Sequence, residues 1–382
     1  MRLLLGGVLA LAVFSAACSE NAVAPKSPAD PAATAAELAA LGSVFNAAPL
    51  QSLSAISPAV TTTGAAPLRA LALAGSTNPL RQSDRLRPYA DRIDGARMFG
   101  RLLPEMSVSG VAALFPPELV GKTFEWNFTL SQYDTTARAG APATGVRFIL
   151  YAIDPLTGYP AGPAPGTEVG YIDLIDETGS GNPKVHVIVA GVGGTPVYVD
   201  YTVRVGSQSA TSVTINTTGY ITNGADSPDS LRFDGAITAA LAGNNGISVT
   251  EDVSFDVNSH DVHVRNWQRV TITQTTTVTT ISLRLSFRFE YAGEVVTLDG
   301  SLDADSQYNV TGEFTARVDG GLYASCTVTG SQNTYTLTCQ GADADGLSAD
   351  DDAVLDALGA AAGSISTVFE GMLGPAIGVL GQ

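Results

Sequence analysis

"SLRLSFRFEY", Ser282 to Tyr291, alternates without a break: Leu283, Leu285, Phe287, Phe289 and Tyr291 fall on one parity, Ser282, Arg284, Ser286, Arg288 and Glu290 on the other. Successive side chains of an extended strand point to opposite faces, so this period of two gives one dry face and one wet face. The pattern recurs at Phe124, Trp126, Phe128 and Leu130, at Val197, Val199, Tyr201 and Val203, at Val253, Phe255 and Val257, and at Tyr308, Val310, Phe314 and Val318. Turn residues separate the runs: Gly193-Gly194, Asn244-Asn245-Gly246, Ala292-Gly293 and Gly320-Gly321. The expected fold is mainly β (α+β), a large curved antiparallel β meander over 122–345.

A one-sided sheet of many strands must hide its apolar face. The segment 346–382 supplies a cover. Val354, Leu358, Ala361, Ile365, Val368 and Met372 recur at spacings of four and three, and Leu355, Phe369 and Leu373 widen the stripe. Ser348 with Asp351 reads as a capping box, and Asp350, Asp351 and Asp352 suit the first turn of a helix. An amphipathic C-terminal helix packed on the apolar face is the expectation. Its polar side offers Asp356 and Glu370 but no Lys or Arg, which is poor chemistry for an anionic membrane surface.

Residues 34–121 form an Ala/Arg-rich helical or irregular segment. Leu38, Leu41, Val44 and Phe45, then Leu50, Leu53 and Ile56, have helical spacing, and a second candidate helix covers Tyr89 to Leu103. Arg69, Arg81, Arg85, Arg87, Arg92, Arg97 and Arg101 cluster here. They either dock on acidic loops of the same domain or meet lipid phosphates or a glycan acid.

At the N-terminus, Arg2 precedes an apolar run from Leu3 to Phe14 and then "SAAC", Ser15 to Cys18. The run is far shorter than the roughly 20 residues of a membrane span, so 1–17 reads as a signal peptide. Its ending resembles the lipobox of bacterial lipoproteins, with Ser15 where Leu is usual. The resemblance implies lipidation at Cys18, attachment to the membrane through that lipid and, with Ser19 next, the outer membrane. Residues 18–33, with Pro25, Pro28 and Pro31 among Ala and Ser, read as a lipidated cysteine and flexible tether.

The formal charge is −17 and loss of Arg2 makes it more negative, so no nucleic-acid partner is expected. In "CTVTGSQNTYTLTC", a hairpin turning at Gln332-Asn333 places Cys326 opposite Cys339 on a non-hydrogen-bonded site, where Cα atoms approach to about 4.5 Å and a disulfide can form.

Catalytic constellations are thin. His260 and His263, three apart in an extended chain, point to opposite faces, and a site of His263, His186 and Asp261 needs a tertiary coincidence. "GVGGTP", Gly191 to Pro196, joins two strands rather than opening a helix, so it is a turn and no phosphate cradle. Asp173 shares its parity with Val169, Tyr171 and Ile175, so it is either half-exposed at a sheet edge or buried with a raised pKa. Asp343, Asp345 and Asp352 match positions three, five and twelve of a calcium loop, but Gly341 occupies position one and the last ligand is Asp. No cofactor is implied. The expected role is structural or interactive and non-enzymatic, with an envelope protein or glycan as partner. The alternative is a carrier or sensor of an apolar ligand such as a lipid, a fold-level likeness to the half-barrel lipoprotein carriers of the bacterial envelope.

Overall fold

The computed structural model describes residues 24–44, 48–53 and 114–380, apart from breaks at 155, 157–158, 163–166, 225–229, 244, 258–260, 275–277, 307–308, 332–333 and 343–345. Residues 1–17, read as a signal peptide, Cys18, the Tyr89–Leu103 segment and the arginine cluster lie outside the described residues.

One open sheet dominates. Its strands are β1 (Thr123–Asn127), β2 (Gln132–Thr136), β3 (Gly145–Tyr151), β4 (Glu168–Asp176), β5 (Lys184–Gly191), β6 (Val197–Gln208), β7 (Ser212–Thr222) and β8 (Ser230–Leu241). They continue as β9 (Gly246–Val257), β10 (Val262–Gln274), β11 (Thr279–Tyr291), β12 (Glu294–Asp305), β13 (Val310–Val318), β14 (Gly321–Ser331) and β15 (Thr334–Gly341). From β3 to β15 each strand pairs antiparallel with the next in sequence, which is the expected meander. The departure is at the start: β1 lies between β2 and β3 and runs parallel to β3, so the sheet is mixed. The β2–β3 connection passes over the outer face, where a Cβ built on Gly140 would lie 2.8 Å from the Arg147 guanidinium. Period-two reading finds strands but not their neighbours, which is why this crossing is absent from the sequence pattern.

The helices are α1 (Pro31–Val44), α2 (Ala48–Gln51) and α3 (Ala349–Leu380). In α1, Pro31 occupies the first turn, where its missing N–H costs nothing, and the Asp30 carboxylate accepts from the Ala33 N–H at 3.0 Å. The expected capping box starts α3: Ser348 N–H donates to the Asp351 carboxylate at 2.9 Å, and Asp351 N–H donates to Ser348 Oγ at 3.2 Å. Tyr323 of β14 adds a hydroxyl bond to the same carboxylate at 2.8 Å. Burial alone would raise the Asp351 pKa, but these bonds outweigh it and hold the group below its ordinary value.

The expected stripe of α3 is the face it buries. Val354, Leu358, Ala361, Ile365, Phe369, Met372 and Leu373 join one core with the inward side chains of the sheet. Phe369 packs edge-on against Phe233 and Phe255, with ring centroids 5.8 and 6.2 Å away. Gly235, in the "RFDGAI" of β8, makes room for that ring: a Cβ there would lie 3.2 Å from Phe369 Cζ. Gly300, in the similar "TLDGSL" of β12, lies under Phe314, whose Cδ1 would be 2.1 Å from an added Cβ. Each glycine lets an aromatic ring settle against bare backbone. Helix α1 packs along α3, burying Leu38 and Leu41.

Pro375 lies inside α3 near its end. Proline cannot donate to the carbonyl four residues back, and its ring crowds the turn before it. The fully buried Tyr201 of β6 meets this weakened turn by donating its hydroxyl to the Met372 carbonyl. Burial pushes the Tyr201 phenol far above its ordinary pKa, so it stays a neutral donor.

Of the stretch 18–33, expected to be a lipidated cysteine and flexible tether, the described residues from Ala24 onward contact the sheet. Lys26 N–H donates to the Leu322 carbonyl at 3.0 Å, its ammonium pairs with Asp319 and lies 3.5 Å from Glu294, and Ala29 N–H bonds the Glu294 carboxylate at 3.1 Å. Proline-rich composition signals extended backbone, but it does not reveal that carboxylates await it at the sheet edge.

Cys326 and Cys339 face each other in the expected register, with Val328 opposite Leu337 and Gly330 opposite Tyr335. They lie at disulfide distance, Cα to Cα 4.0 Å. The bond staples the edge strand β15, whose own side chains are only half-buried at best, to β14.

Two outcomes follow. Replacing both Cys326 and Cys339 by Ser lowers unfolding free energy by about 3 kcal/mol; denaturant melts of this variant that match the parent, both non-reduced, would show that the bond stabilises nothing. Tyr201→Phe removes the only contribution of its hydroxyl and costs about 1 to 2 kcal/mol by the same measurement, with no change expected in far-UV dichroism.

Candidate functional site

Three groups of polar residues stand out, and they occupy different places. The first covers the outer face. On β9 to β12, Arg265 makes a two-bond pair with Asp252 at 3.0 and 2.8 Å, Arg284 meets Asp303 at 3.2 and 3.3 Å, and Arg288 meets Glu290 at 2.8 Å. Arg269 reaches Thr250 and lies over the Trp267 ring. These are exposed pairs, cross-strand except for Arg288 and Glu290, which share β11, and of the kind that contribute about 0 to 1 kcal/mol each. Their combined effect is a regular surface of alternating charge, Ser and Thr.

The second group sits on the outer face of β3 to β6, where the β2–β3 connection covers part of it. Arg147 donates from Nε and Nη2 to the two oxygens of Asp173, both at 2.7 Å. The guanidinium carbon also lies 3.5 Å from the centre of the Tyr171 ring. Asp173 is buried on β4, between β3 and β5, so the half-exposed edge position considered for it is corrected. Alternation alone does not say which strands are interior. Burial pushes the Asp173 carboxyl above its ordinary pKa, and the Arg147 bonds offset only part of that.

Next to this pair, His186 stands between two carboxylates, Nδ1 3.0 Å from Glu177 and Nε2 2.8 Å from Asp200, and Lys184 lies 2.7 Å from Glu177. His263 is on β10, 2.6 Å from Asp256 and 3.7 Å from Asp261. The structure therefore does not bring His186 and His263 together, since they are on β5 and β10. The Asp256 bond raises the His263 pKa. Among the described residues no cluster of His, Cys, Asp and Glu suits a metal ion. Asp343 and Asp345 lie outside the described residues, and Asp352 is in the first turn of α3.

The third group is inside. Glu251 of β9 and Asn266 and Gln268 of β10 project into the concave core, each nearly inaccessible. Gln268 Nε2 donates to Glu251 Oε2 at 2.5 Å, directly across the strand pair, while Gln268 Oε1 has no hydrogen-bond partner among the described residues. The sequence carried the signal: Glu251 stands in phase with Val249 and Val253, and Gln268 in phase with Val264 and Val270. A polar residue in the apolar phase marks a buried polar group.

Of these, the Arg147–Asp173 pair makes a measurable statement about pH. Raised in the folded state, the Asp173 carboxyl binds its proton more tightly there than in the unfolded chain. Its contribution to stability is thus largest at low pH and is lost as pH rises from about 4 through the folded value. Asp173→Asn removes that slope and leaves Arg147 without its counter-charge, costing about 3 kcal/mol. The check is a series of urea titrations across acidic pH; parallel curves for parent and variant would contradict the assignment. Compared with known protein families, with curated proteins and with solved structures, the chain matches none.

Proposed function

We propose that the chain is a lipid-anchored protein of the bacterial cell envelope, non-catalytic, whose outer sheet face meets a protein or glycan partner. The observation that carries this is how the concave face is filled. A carrier of an apolar ligand holds its cargo between sheet and helix, and here Leu358, Ile365, Phe369 and Leu373 of α3 lie fully buried in that space. What the fold leaves available is the outer face, a broad array of Ser, Thr and paired charges spread over long strands. Such a surface suits a polar partner better than an apolar one. The anchor rests on the signal-like leader, Cys18 and the short distance from Cys18 to the docked segment at Ala24.

A second reading, the carrier or sensor of an apolar ligand, is favoured by Glu251 and Gln268. A buried polar pair with one unmatched amide oxygen could receive the polar end of such a ligand once α3 moves aside.

Native mass spectrometry of the Cys18→Ser chain, purified without detergent, separates the two. A bare mass, lower by two protons for Cys326 and Cys339, is the expected result. A reproducible excess corresponding to one apolar molecule would overturn the first reading and make the carrier primary. Phase partitioning in detergent tests the anchor: the parent enters the detergent phase, and Cys18→Ser remains in water.

A further inference from the structure

Strand direction sorts every connection of the sheet onto one of two edges. Because β1 runs parallel to β3 and the other neighbours are antiparallel, all odd-numbered strands point the same way. The connections after β1, β3, β5, β11 and β13 therefore share one edge, and those after even-numbered strands share the other. Two features that are independent in sequence coincide on the first edge.

One is apolar. Among the described residues, five large apolar side chains are more than half exposed, and four of them, Leu130, Leu156, Tyr159 and Val192, sit on the turns after β1, β3 and β5. Leu156 is 94% exposed. The fifth, Leu241, ends β8 at the opposite edge. Single exposed apolar residues are ordinary on a soluble surface, but their segregation onto three neighbouring turns is not.

The other is the path of the N-terminal segment. Lys26 and Ala29 are held by Asp319, in the turn after β13, and by Glu294 and Leu322, at the starts of β12 and β14 on that same edge. Cys18 precedes Ala24 by six residues, a reach of at most about 20 Å.

The geometry points to this edge as a membrane-resting surface, with Leu130, Leu156, Tyr159 and Val192 entering the headgroup layer of a zwitterionic bilayer. The inference rests on the reading of Cys18 as the lipid site. A lipid there brings the whole edge to the bilayer, and β5 lies about 38 Å along the sheet from β13 at eight strand spacings. Anchor and apolar turns are then two separated supports that fix the sheet's orientation. Charge selects the lipid. Asp154, Asp256, Asp261, Glu294 and Asp319 stand on the same edge, where Lys26, Arg232, His263 and Arg317 are fewer and Lys26 and His263 are already engaged by carboxylates, so an anionic surface gains little there.

The test is hydrogen exchange on the lipidated chain in vesicles of phosphatidylethanolamine and phosphatidylcholine, compared with Cys18→Ser in solution. Exchange slows several-fold in peptides containing Leu130, Leu156, Tyr159 and Val192, and stays unchanged in those containing Thr211 and Leu241. The combined variant Leu130→Ser, Leu156→Ser, Tyr159→Ser and Val192→Ser keeps its fold and its attachment but loses the slowing. A vesicle-bound chain whose exchange is unaltered at these positions, or slowed equally at both edges, overturns the proposal. So does slowing that requires phosphatidylglycerol. The mass of the mature N-terminus reports the anchor separately. Should residue 18 prove unacylated, coupling its thiol to a maleimide lipid tests the edge alone, and unaltered exchange in that tethered chain overturns it.

Discussion

An open sheet with one apolar face cannot stand in water by itself, and everything else in this protein answers that constraint. Closing a barrel would hide the face without help, but here β2 and β15 remain edges. A single long helix covers the concave side instead. That solution depends on a few contacts between helix and sheet. The capping box and Tyr323 set where α3 begins, Phe369 lies over the bare backbone of Gly235, and Tyr201 holds the turn that Pro375 weakens. Helix propensity alone would not keep this segment straight, since Gly359, Gly363 and Pro375 each work against it. Burial along one face supplies what propensity lacks.

The free edges need their own management. Among the described residues β15 has no strand neighbour on its far side, and an unpaired edge invites association with other strands. The Cys326 and Cys339 pair ties that strand to β14, so fraying of the hairpin is limited even where side-chain burial is slight. At the opposite edge, β2 is short and the β2–β3 connection folds over the outer face, beside Arg147. The two ends of the sheet are thus protected by different means, one covalent and one topological.

Local rules were legible in the sequence where a period or a fixed spacing expressed them. Alternation at Ser282 to Tyr291 located a strand, the distance from Cys326 to Cys339 set a register, and Ser348 with Asp351 began a helix. What was illegible depends on which elements become neighbours. No spacing announces that β1 runs parallel to β3, that Asp173 lies on an interior strand under a connection, or that Lys26 docks against Asp319, 293 residues away. The buried pair of Glu251 and Gln268 falls between these cases. Its position in the apolar phase was visible, but its partnership required the register of β9 with β10.

That pair also bears on how the concave face came to be filled as it is. A purely apolar interior would be cheaper, because a buried glutamate and an unmatched amide oxygen each carry a desolvation cost. The cost is borne on the concave face itself, where β9 pairs with β10. Polar groups in such a position oppose a register slip of β9 against β10, since a slip would strip Gln268 and Glu251 of the bond they make. A wide apolar sheet offers a helix many nearly equivalent seats. Phe369 in its glycine notch and Tyr201 on the Met372 carbonyl select one of them, and with it the outer surface that remains for a partner.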